Sequence, residues 1–365
     1  MKRIICLLCA LLLLPLLGCR SEGPGPTVDP TADPTQTVSP SPAPESTEPL
    51  PTPTPVPFYH PLTGVPCEED LSGRRPVAIM LNNLKAALPQ QGNGQADIIY
   101  EALAEGGITR MLAVYQDPGQ LDLVGSVRSA RQYYWEIAQG HDAVYIHAGG
   151  SPEFYNTKSS KGLFTVDGVN GYYAGADAGM FWRDRDRVAG HHYDYEHSLL
   201  TSGEAITNML SQRQMEEHSD GYTYEMTFAD DGTPPGGTEA ATLTVPFSTY
   251  KTGVFRYDSY NGVYLAEEYG APYIDGNDGA QVAVTNVIVL QTTYVVLDDA
   301  GRVKVDLTSG RGWFACGGRM IPITWQKGGA DDQFRYFLEN GEPLTLGRGK
   351  SYVCIIPTSQ TVSAS

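Results

Sequence analysis

The order of apolar and polar positions predicts alternating strands and helices in the first folded part of the chain, residues 58–220. Short continuous apolar runs are typical of buried strands, and four are present here: Pro76–Asn83, Ile108–Gln116, Leu121–Val127 and Ala143–Ala148. The turn Asp117–Gln120 predicts that the second and third runs pair as an antiparallel hairpin. The expected architecture is an α/β domain with a mixed sheet and flanking helices.

Helices are predicted at three places in this part. In Gln95–Glu105 the apolar residues recur with helical period, and Gly106-Gly107 follows as a stop. Ser129–Gln139 begins with a serine that can cap a helix. Thr201–Glu204 has the pattern of a capping box, which opens a helix to about Glu217. The stretch Phe154–Leu200 is rich in glycine and aromatic residues without a clear period, and it is expected to be irregular.

From residue 221 to 360 the pattern changes to short β-rich runs separated by turn residues. Asp-Gly or Asn-Gly pairs, which favour tight hairpin turns, stand at Asp231-Gly232, Asn261-Gly262 and Asn340-Gly341. This part is predicted to be a second, mostly antiparallel β domain. The fold class expected for the whole chain is therefore α+β.

The N-terminus predicts a lipoprotein. Residues 1–18 read as a signal peptide with a positive Lys2-Arg3 and an apolar Ile4–Leu17, which is too short for a membrane span of ~20 residues. Gly18-Cys19 follows as a lipobox, so Cys19 is the expected lipidated (palmitate-type) first residue; an ordinary transmembrane anchor is the alternative. The predicted location is the extracytoplasmic face of the cell membrane.

Residues 19–57 have the composition of a tether rather than of a folded domain. They contain Pro51–Pro57 (PTPTPVP) and almost no large apolar side chain, so they cannot bury enough surface to offset chain entropy. Proline-rich chain favours extended conformations, and at ~3.1 Å per residue the segment can reach roughly 100 Å from the membrane. A function within the cell wall region is the expectation.

The charge of the chain narrows its classes of binding partner, and its cysteine content limits the disulfides it can form. The net charge is −17, which argues against binding nucleic acid or anionic lipid headgroups. Beyond the anchor three cysteines remain, Cys67, Cys316 and Cys354, and an odd number cannot pair completely. Cys316 and Cys354 both lie in predicted strands, where they either form a disulfide or stay as two separate buried thiols.

Arginines near the predicted hairpin are the main candidates for a site. Arg110 begins the strand Ile108–Gln116, and Arg128 and Arg131 stand at the expected start of the next helix. An arginine at a helix N-terminus is unfavourable because its positive charge opposes the helix dipole. The position of Arg128 and Arg131 therefore needs an explanation. One reading is an anion pocket made of guanidinium groups and free helix N–H groups. The other is internal pairing with the acids Asp97, Glu101 and Glu105.

Further candidates come from neighbouring strand ends, where sites in α/β folds often lie. A zinc, magnesium or nucleotide motif is not recognised in the sequence, and no metal or cofactor is predicted. The remaining candidate ligand-binding residues are Asn82, Asn83, Glu101, His147, Ser151 and Arg183.

Several runs resemble the YerB-like bacterial lipoproteins, a family whose conserved regions are catalogued as domains of unknown function. The C-terminal runs NVIVL (Asn286–Leu290) and MIPITW (Met320–Trp325) resemble the second domain of that family. The resemblance covers nearly all of Tyr59–Pro357, and it implies a two-domain, lipid-anchored envelope protein of Gram-positive type. The N-terminal runs that carry it are RRPVAIMLNN (Arg74–Asn83), QADIIYEALAEGGITRMLAVYQ (Gln95–Gln116), VRSARQYY (Val127–Tyr134), AVYIHAGGSPE (Ala143–Glu153) and FWRD (Phe181–Asp184).

A shorter stretch is similar to the core of the LytR-CpsA-Psr phosphotransferases, which hold a polyprenyl pyrophosphate with arginines. The similarity covers the strand–turn–strand and the Ser-Val/Ile-x-Arg segment that follows it, within Gly107–Arg131. Gln132 stands where those enzymes carry an aspartate, which makes their metal-assisted chemistry doubtful here. The expected function is therefore a lipid-anchored envelope protein that binds a cell-wall polymer or a partner protein through an Arg-lined pocket. The alternative is an envelope enzyme that acts on a phosphate- or sugar-bearing substrate.

Overall fold

The computed structural model describes residues 58–175 and 178–365. The predicted signal peptide, Cys19 and the tether lie outside the described residues. In the described part, no helix is both long and apolar enough to cross a membrane.

The first half of the described chain forms ten strands and three helices. The helices are α1 (Gln132–Gly140), α2 (Pro152–Lys161) and α3 (Gly203–Arg213). The strands are β1 (Phe58–Tyr59), β2 (Pro66–Cys67), β3 (Val77–Asn82), β4 (Ile98–Leu103), β5 (Thr109–Tyr115), β6 (Leu123–Gly125), β7 (Val144–His147), β8 (Val166–Asp167), β9 (Trp182–Arg183) and β10 (Leu199–Ser202).

The second half consists of strands joined by turns, as the alternating pattern predicts. The strands are β11 (Thr227–Ala229), β12 (Thr238–Glu239), β13 (Thr242–Pro246), β14 (Thr252–Asp258), β15 (Val263–Glu268), β16 (Ala271–Pro272), β17 (Ala283–Val284), β18 (Asn286–Thr292), β19 (Tyr294–Val296), β20 (Val303–Val305), β21 (Ser309–Cys316), β22 (Arg319–Gln326), β23 (Arg335–Leu338), β24 (Thr345–Gly347), β25 (Ser351–Pro357) and β26 (Ser363–Ala364).

An 11-stranded sheet runs through both halves in the order β12-β22-β21-β18-β25-β4-β5-β3-β7-β8, with β23 also pairing β22. The N-terminal strands form its mixed part, because β3 is antiparallel to β5 and parallel to β7. The two halves join where β25 runs parallel to β4, with Cys354 opposite Glu101. The α+β fold class is confirmed. The domain boundary near residue 220 stays a prediction, and strands from both sides of it share this sheet.

The central sheet buries both of its faces. On one face, Ile79 and Ile99 pack with Ile206 of α3 and with Phe255 of a smaller antiparallel sheet ordered β16-β15-β14-β13-β26. On the other face, Met80, Tyr100 and Leu112 pack with Trp135 of α1 and with Trp325 of β22. Each large apolar side chain buried in this way contributes roughly 1.5–3 kcal/mol. Side chains that alternate along one strand therefore belong to opposite cores.

The helix expected at Gln95–Glu105 is wrong, because this stretch contains strand β4. All of its residues from Ile98 to Leu103 are buried, and they alternate between the two cores. A strand buried on both faces has a continuous apolar run, which over a short window matches a helical stripe equally well. The acids Asp97, Glu101 and Glu105 are consequently not a row on one helix face.

The hairpin expected between Ile108–Gln116 and Leu121–Val127 is also wrong. Strand β6 pairs with β10 in a separate three-stranded sheet, and β5 lies between β3 and β4. The intervening turn packs against the start of α3, where Gly203 leaves no room for a Cβ beside the carbonyl oxygens of Pro118 and Leu121. This close packing directs the chain away from the central sheet.

One helix begins later than expected, and another lies in a stretch that was expected to be irregular. Helix α1 begins at Gln132, so Arg128 lies before it and Arg131 occupies its N-cap position. Helix α2, in the stretch expected to be irregular, is capped by Ser151, whose Oγ accepts from the Phe154 N–H at 3.3 Å. It buries Phe154 and no other residue, so the sequence carries little helical period there. A helix is present after Thr201, as predicted, but its cap is Ser202, and α3 ends at Arg213 rather than near Glu217.

The three cysteines of the described part are free thiols. Cys316 and Cys354 are buried on neighbouring parts of the central sheet and are not joined to each other. Burial raises the pKa of Cys316 to about 11, so this thiol stays protonated and unreactive at neutral pH.

Candidate functional site

The candidate arginines separate into two groups, and the first group surrounds one carboxylate. Arg110, in β5, lies with its Nη2 3.5 Å from Oε2 of Glu105, and Arg131 Nη2 contacts Oε1 of the same residue. Both guanidinium groups also donate to backbone, Arg110 to the Ser129 carbonyl at 3.1 Å and Arg131 to the Ala130 carbonyl at 2.6 Å. Each arginine is 8% exposed. These two side chains are therefore paired internally.

The electrostatics of this group follow from two cations sharing one anion. Burial and the neighbouring Arg131 lower the pKa of Arg110 to about 10, while Glu105 opposes the shift. For Glu105, burial opposes ionisation, but the positive charges of Arg110 and Arg131 hold its pKa below the ordinary value. Arg110 and Glu105 are thus both charged at neutral pH. The cluster stabilises the join between β5 and the start of α1.

The second group, Arg128 and Arg183, lines an open cleft of about 390 Å³. Arg128 donates from Nη1 to the Glu196 carbonyl at 3.0 Å, and Arg183 donates from Nη1 to the Tyr195 carbonyl at 2.6 Å. The Arg183 guanidinium stacks over the Tyr195 ring, 3.9 Å from its centre. The other residues of the cleft wall are Val127, Ser129, Ala148, Gly149, Gly150, Tyr155, Val169, Asn170 and Leu199.

The two cleft arginines differ from the buried pair in what neutralises them. Among residues 58–175 and 178–365, neither makes an ion pair with a carboxylate. Glu196 carries the one carboxylate of the described cleft wall; its side chain is 62% exposed and lies 3.4 Å from His197 Nε2. Burial lowers the pKa of Arg128; Glu196 opposes this shift, and the positive charges of Arg131 and Arg183 add to it. The cleft consequently presents positive charge.

A glycine turn at the end of β7 forms one wall of this cleft, and buried polar groups hold it in place. Gly149 has a φ of 72°, a conformation that favours glycine. The carboxylate of Asp167 accepts from the N–H groups of Gly149 at 2.8 Å and Val169 at 2.9 Å, and from the Tyr155 hydroxyl at 2.7 Å. Burial opposes the ionisation of Asp167, but His147 and these donors keep its pKa low.

His147 and Ser151, both predicted as ligand residues, have structural positions here. The His147 ring is buried, with Nδ1 2.8 Å from the Gly149 carbonyl and Nε2 2.9 Å from the Thr165 hydroxyl. Burial lowers the pKa of His147 to about 4, so the ring is neutral. Ser151 caps α2 and lines a smaller pocket of about 240 Å³ beside Arg131. Neither side chain belongs to the wall of the larger cleft.

The asparagines and Glu101 lie apart from the cleft wall. Asn82 is buried, with Nδ2 2.8 Å from His197 Nδ1, so it supports the segment that carries Glu196. Asn83 donates from Nδ2 to Oε1 of Glu101 at 2.8 Å. These two, with Thr109, lie on the face of the sheet that the smaller sheet covers. The predicted set is thus divided among the cleft, the Glu105 cluster and the interior.

Besides Ser129, which the sequence indicates only as a helix cap, four polar residues of the cleft are absent from the predicted set: Tyr155, Asn170, Tyr195 and Glu196. For Tyr155 a signal was present, because Ser151-Pro152-Glu153 is a typical helix start and places Tyr155 in the first turn facing the glycine turn. The other three come from the irregular segment between α2 and β10. Only the fold brings that segment beside Arg128.

Comparison with known families assigns both halves of the chain. Residues 62–216 match the N-terminal domain of a family described as protein of unknown function (DUF3048), and residues 243–353 match the C-terminal domain of that family. The resemblance to YerB-like lipoproteins is confirmed.

One curated relative and one solved structure agree with this match. The chain is 31% identical over 311 residues to a Bacillus subtilis (strain 168) protein named "Putative lipoprotein YerB", covering 84% of this chain and 88% of the relative. The crystal structure of YerB protein from Bacillus subtilis superposes with a TM-score of 0.71 at 27% identity, covering 84% of this chain and 99% of that chain. With both domains matched in order, the chain belongs to the DUF3048 family.

Proposed function

We propose that this protein is a lipid-anchored envelope protein that binds an anionic, wall-associated ligand in the cleft of Arg128 and Arg183. The observation that carries the proposal is the contrast in pairing. Arg110 and Arg131 share the Glu105 carboxylate, whereas Arg128 and Arg183 have no carboxylate partner among the described residues. In a chain of net charge −17, a cleft that retains two such guanidinium groups suits an external anion.

The chemistry of the cleft narrows the class of ligand. Guanidinium groups recognise phosphate and carboxylate with paired N–H donors. Tyr195 is 65% exposed and offers an apolar ring face at the same place, and Asn170 supplies an amide at the rim. An anionic group joined to a sugar matches this combination of charge, ring face and hydrogen-bond donors. A phosphate-bearing wall glycan is the ligand class proposed.

The predicted membrane attachment supports such a location. The lipobox at Cys19 agrees with the name of the relative, a putative lipoprotein, and the proline-rich segment up to residue 57 follows it. With the chain anchored on the extracytoplasmic face, the extended tether allows the cleft to reach the wall. The acidic surface outside the cleft would repel the anionic membrane and favour a raised position.

The enzymatic alternative requires a group that moves protons beside the bound anion. In the cleft wall the candidates are the exposed Glu196 carboxylate and the partly buried Tyr155 hydroxyl. Burial, together with the Asp167 carboxylate that accepts its hydrogen bond, raises the pKa of Tyr155 to about 12. A phenol with a raised pKa stays protonated at neutral pH and donates a hydrogen bond rather than acting as a base. Tyr155 is therefore suited to donate a hydrogen bond to a bound anion rather than to act as a general base.

Cosedimentation with isolated walls tests the proposal. The purified chain is mixed with Bacillus subtilis walls, either intact or stripped of their phosphate-bearing polymers. We expect binding to intact walls and its loss on stripped walls. Replacing both arginines, Arg128→Gln with Arg183→Gln, should weaken binding by roughly 10²–10⁴-fold, since each of the two charged hydrogen bonds contributes about 1.5–3 kcal/mol.

A matched control separates the cleft from general charge. Arg256 and Arg335 are exposed and paired with Glu267 and Glu225, so a double variant, Arg256→Gln with Arg335→Gln, removes the same two positive charges elsewhere. We expect this variant to bind walls like the wild type. Equal binding by the double cleft variant and the control would overturn the proposal.

A further inference from the structure

A cluster of buried ionisable side chains lies between the central and the smaller sheet, away from the cleft. Its members are Glu101 of β4, Lys251 just before β14, and Glu268 at the end of β15, and they are 0%, 1% and 2% exposed. Lysine and glutamate are almost never buried to this degree unless they are paired. The proposed wall-binding role makes no use of this cluster.

The three side chains are in direct contact. Lys251 Nζ lies 3.2 Å from Oε1 of Glu101 and contacts Oε2 of Glu268. The Tyr352 hydroxyl donates to Oε2 of Glu101 at 2.6 Å and lies 3.4 Å from Oε1 of Glu268. The amine of Lys251 thus stands between two carboxyl groups, with one phenol donor shared by both.

The Glu101 carboxyl group is held more firmly than that of Glu268. Its Oε1 accepts from Thr109 Oγ1 at 2.6 Å and from Asn83 Nδ2 at 2.8 Å. These contacts fix one oxygen of Glu101 beside the lysine. Glu101 is therefore placed to exchange a proton with Nζ, while Glu268 presents its carboxyl carbon on the other side.

Aromatic side chains close the cluster against water. The Tyr269 ring lies over Lys251 Nζ, 4.7 Å from its centre, and its hydroxyl donates to the Asn83 carbonyl at 2.6 Å. The Phe255 ring packs on Tyr352 with ring centres 4.9 Å apart. Burial lowers the pKa of Lys251, although Glu101 opposes the shift. A dry pocket thus favours the neutral, nucleophilic amine.

We propose that Lys251 and Glu268 condense into an intramolecular amide bond, with Glu101 as the proton carrier. Transfer of the ammonium proton from Lys251 to Glu268 first gives an amine and a carboxylic acid. The Nζ lone pair attacks Cδ of Glu268, and Glu101 accepts the proton that Nζ releases. Glu101 then returns this proton to the departing hydroxyl, the C–O bond breaks, and one water molecule leaves.

Amide formation from an amine and an acid is unfavourable in open water, but several features of this site favour the reaction. Two groups held in contact react with an effective concentration of ~10⁵–10⁸ M in well-oriented cases. Condensation also removes a buried ion pair, whose desolvation is costly. The Tyr352 hydroxyl can donate to the oxyanion that forms on Glu268, which is the usual electrostatic aid to acyl transfer.

The bond would close the open end of a hairpin. Strands β14 and β15 are antiparallel, with Gly253 opposite Glu268. Their connecting turn lies at the far end, so a Lys251–Glu268 amide joins the two free ends into a ring. Glu101 contributes from β4, so condensation requires the smaller sheet to have docked on the central sheet.

Intact-mass spectrometry of the full chain, purified from membranes in detergent, tests the proposal. Wild type is compared with Lys251→Met, which has no amine, so the lipid contribution cancels in the difference. We expect the wild type to be lighter than its sequence by one water molecule and the variant to have its full sequence mass. Fragmentation should show no backbone ions between residues 251 and 268, because the ring retains both pieces.

Two further observations complete the test. Glu101→Gln keeps the shape of the proton carrier without its charge, and we expect it to have the full mass while circular dichroism matches the wild type. A water loss that persists in Lys251→Met would identify another dehydration, such as ring closure at Asp231-Gly232. A wild-type chain of full sequence mass would overturn the proposal and leave a plain buried ion pair.

Discussion

Arg128 and Arg131 stand three positions apart in the sequence, yet they occupy opposite environments. Arg131 is 8% exposed and shares the Glu105 carboxylate with Arg110. Arg128 lines an open cleft with Arg183 and donates to a backbone carbonyl instead. The two residues are of the same type and lie close together in the sequence. The nearest carboxylate and the degree of burial decide which arginine is internal and which faces a ligand.

This difference has an energetic basis. Two buried cations around one anion hold a structural join, and removing the anion leaves like charges together in a region of low dielectric. In the cleft Arg183 is exposed and Arg128 is half-buried, so solvent screens these charges more than those of the buried pair and lowers the cost of an unpaired cation. The charges around Glu105 should therefore control stability, and the charges in the cleft should control binding.

The largest effect is expected from Glu105→Gln. The change keeps the size of the side chain but leaves Arg110 and Arg131 buried without a counter-ion, and breaking such a pair costs about 3–5 kcal/mol. We expect a matching loss in the free energy of unfolding, measured by urea denaturation followed by circular dichroism. Binding to walls by the fraction that remains folded should be unchanged.

A second substitution shows whether repulsion is the cause. In the Glu105→Gln background, Arg131→Met removes one of the two cations and should recover part of the lost stability. The same Arg131→Met in wild type should be destabilising. If Arg131→Met destabilises both backgrounds equally, the Glu105 cluster is not an electrostatic unit and the contrast with the cleft fails.

The second-largest effect is expected when the two guanidinium groups of the cleft are replaced by groups of the same charge but a different shape. Arg128→Lys with Arg183→Lys keeps two positive charges but loses the planar forks that pair with phosphate oxygens. We expect wall binding to weaken by about tenfold, roughly 1.4 kcal/mol, which is less than for the glutamine pair. Titration of the purified chain against a soluble phosphate-bearing wall polymer measures this. Unchanged affinity would mean that charge alone, without geometry, determines binding.

Much of the fold could be predicted because the information was local. Buried strands β3, β5 and β7 are continuous apolar runs, and the capping-box pattern Thr201–Glu204 indicates the start of α3 to within one residue. Strand β4 was read as a helix because its burial on two faces depends on partners that lie far along the chain, β25 above all. Pairing of distant strands is set by tertiary packing, which a window of sequence does not contain.

The site was predicted in part for the same reason. Arg128 and Arg183 were both named as candidates, but nothing in their spacing indicates that they share a cleft, because β9 and β10 bring Arg183 alongside. Glu105 was correctly considered as a rival partner for the arginines. Which arginine it takes depends on the true start of α1, and the sequence placed that start too early.

A smaller effect is expected at Ser151, which lies between the two regions. It caps α2, lines the pocket beside Arg131, and precedes Tyr155 of the cleft by one helical turn. Ser151→Ala should cost about 1 kcal/mol of stability, as loss of an N-cap does, and Ser151→Asp should retain the cap. Thermal unfolding measures both variants. A stability loss in Ser151→Asp as large as in Ser151→Ala would show that the cap is not what Ser151 contributes.

The smallest expected effect is a pH dependence of stability, which should arise from Glu105 and not from the arginines of the cleft. The pKa of Glu105 is lowered in the folded state, so its contribution to stability is present above the unfolded value of ~4.3 and is lost as the pH falls through the folded value. The stability difference between wild type and Glu105→Gln should therefore shrink as the pH falls from 7 towards 3, as followed by urea denaturation. Arginine does not titrate in this range, so the cleft pair contributes no such term. A difference that stays constant to pH 3 would mean that Glu105 acts through shape rather than charge, and the distinction between the two arginine pairs would then rest on burial alone.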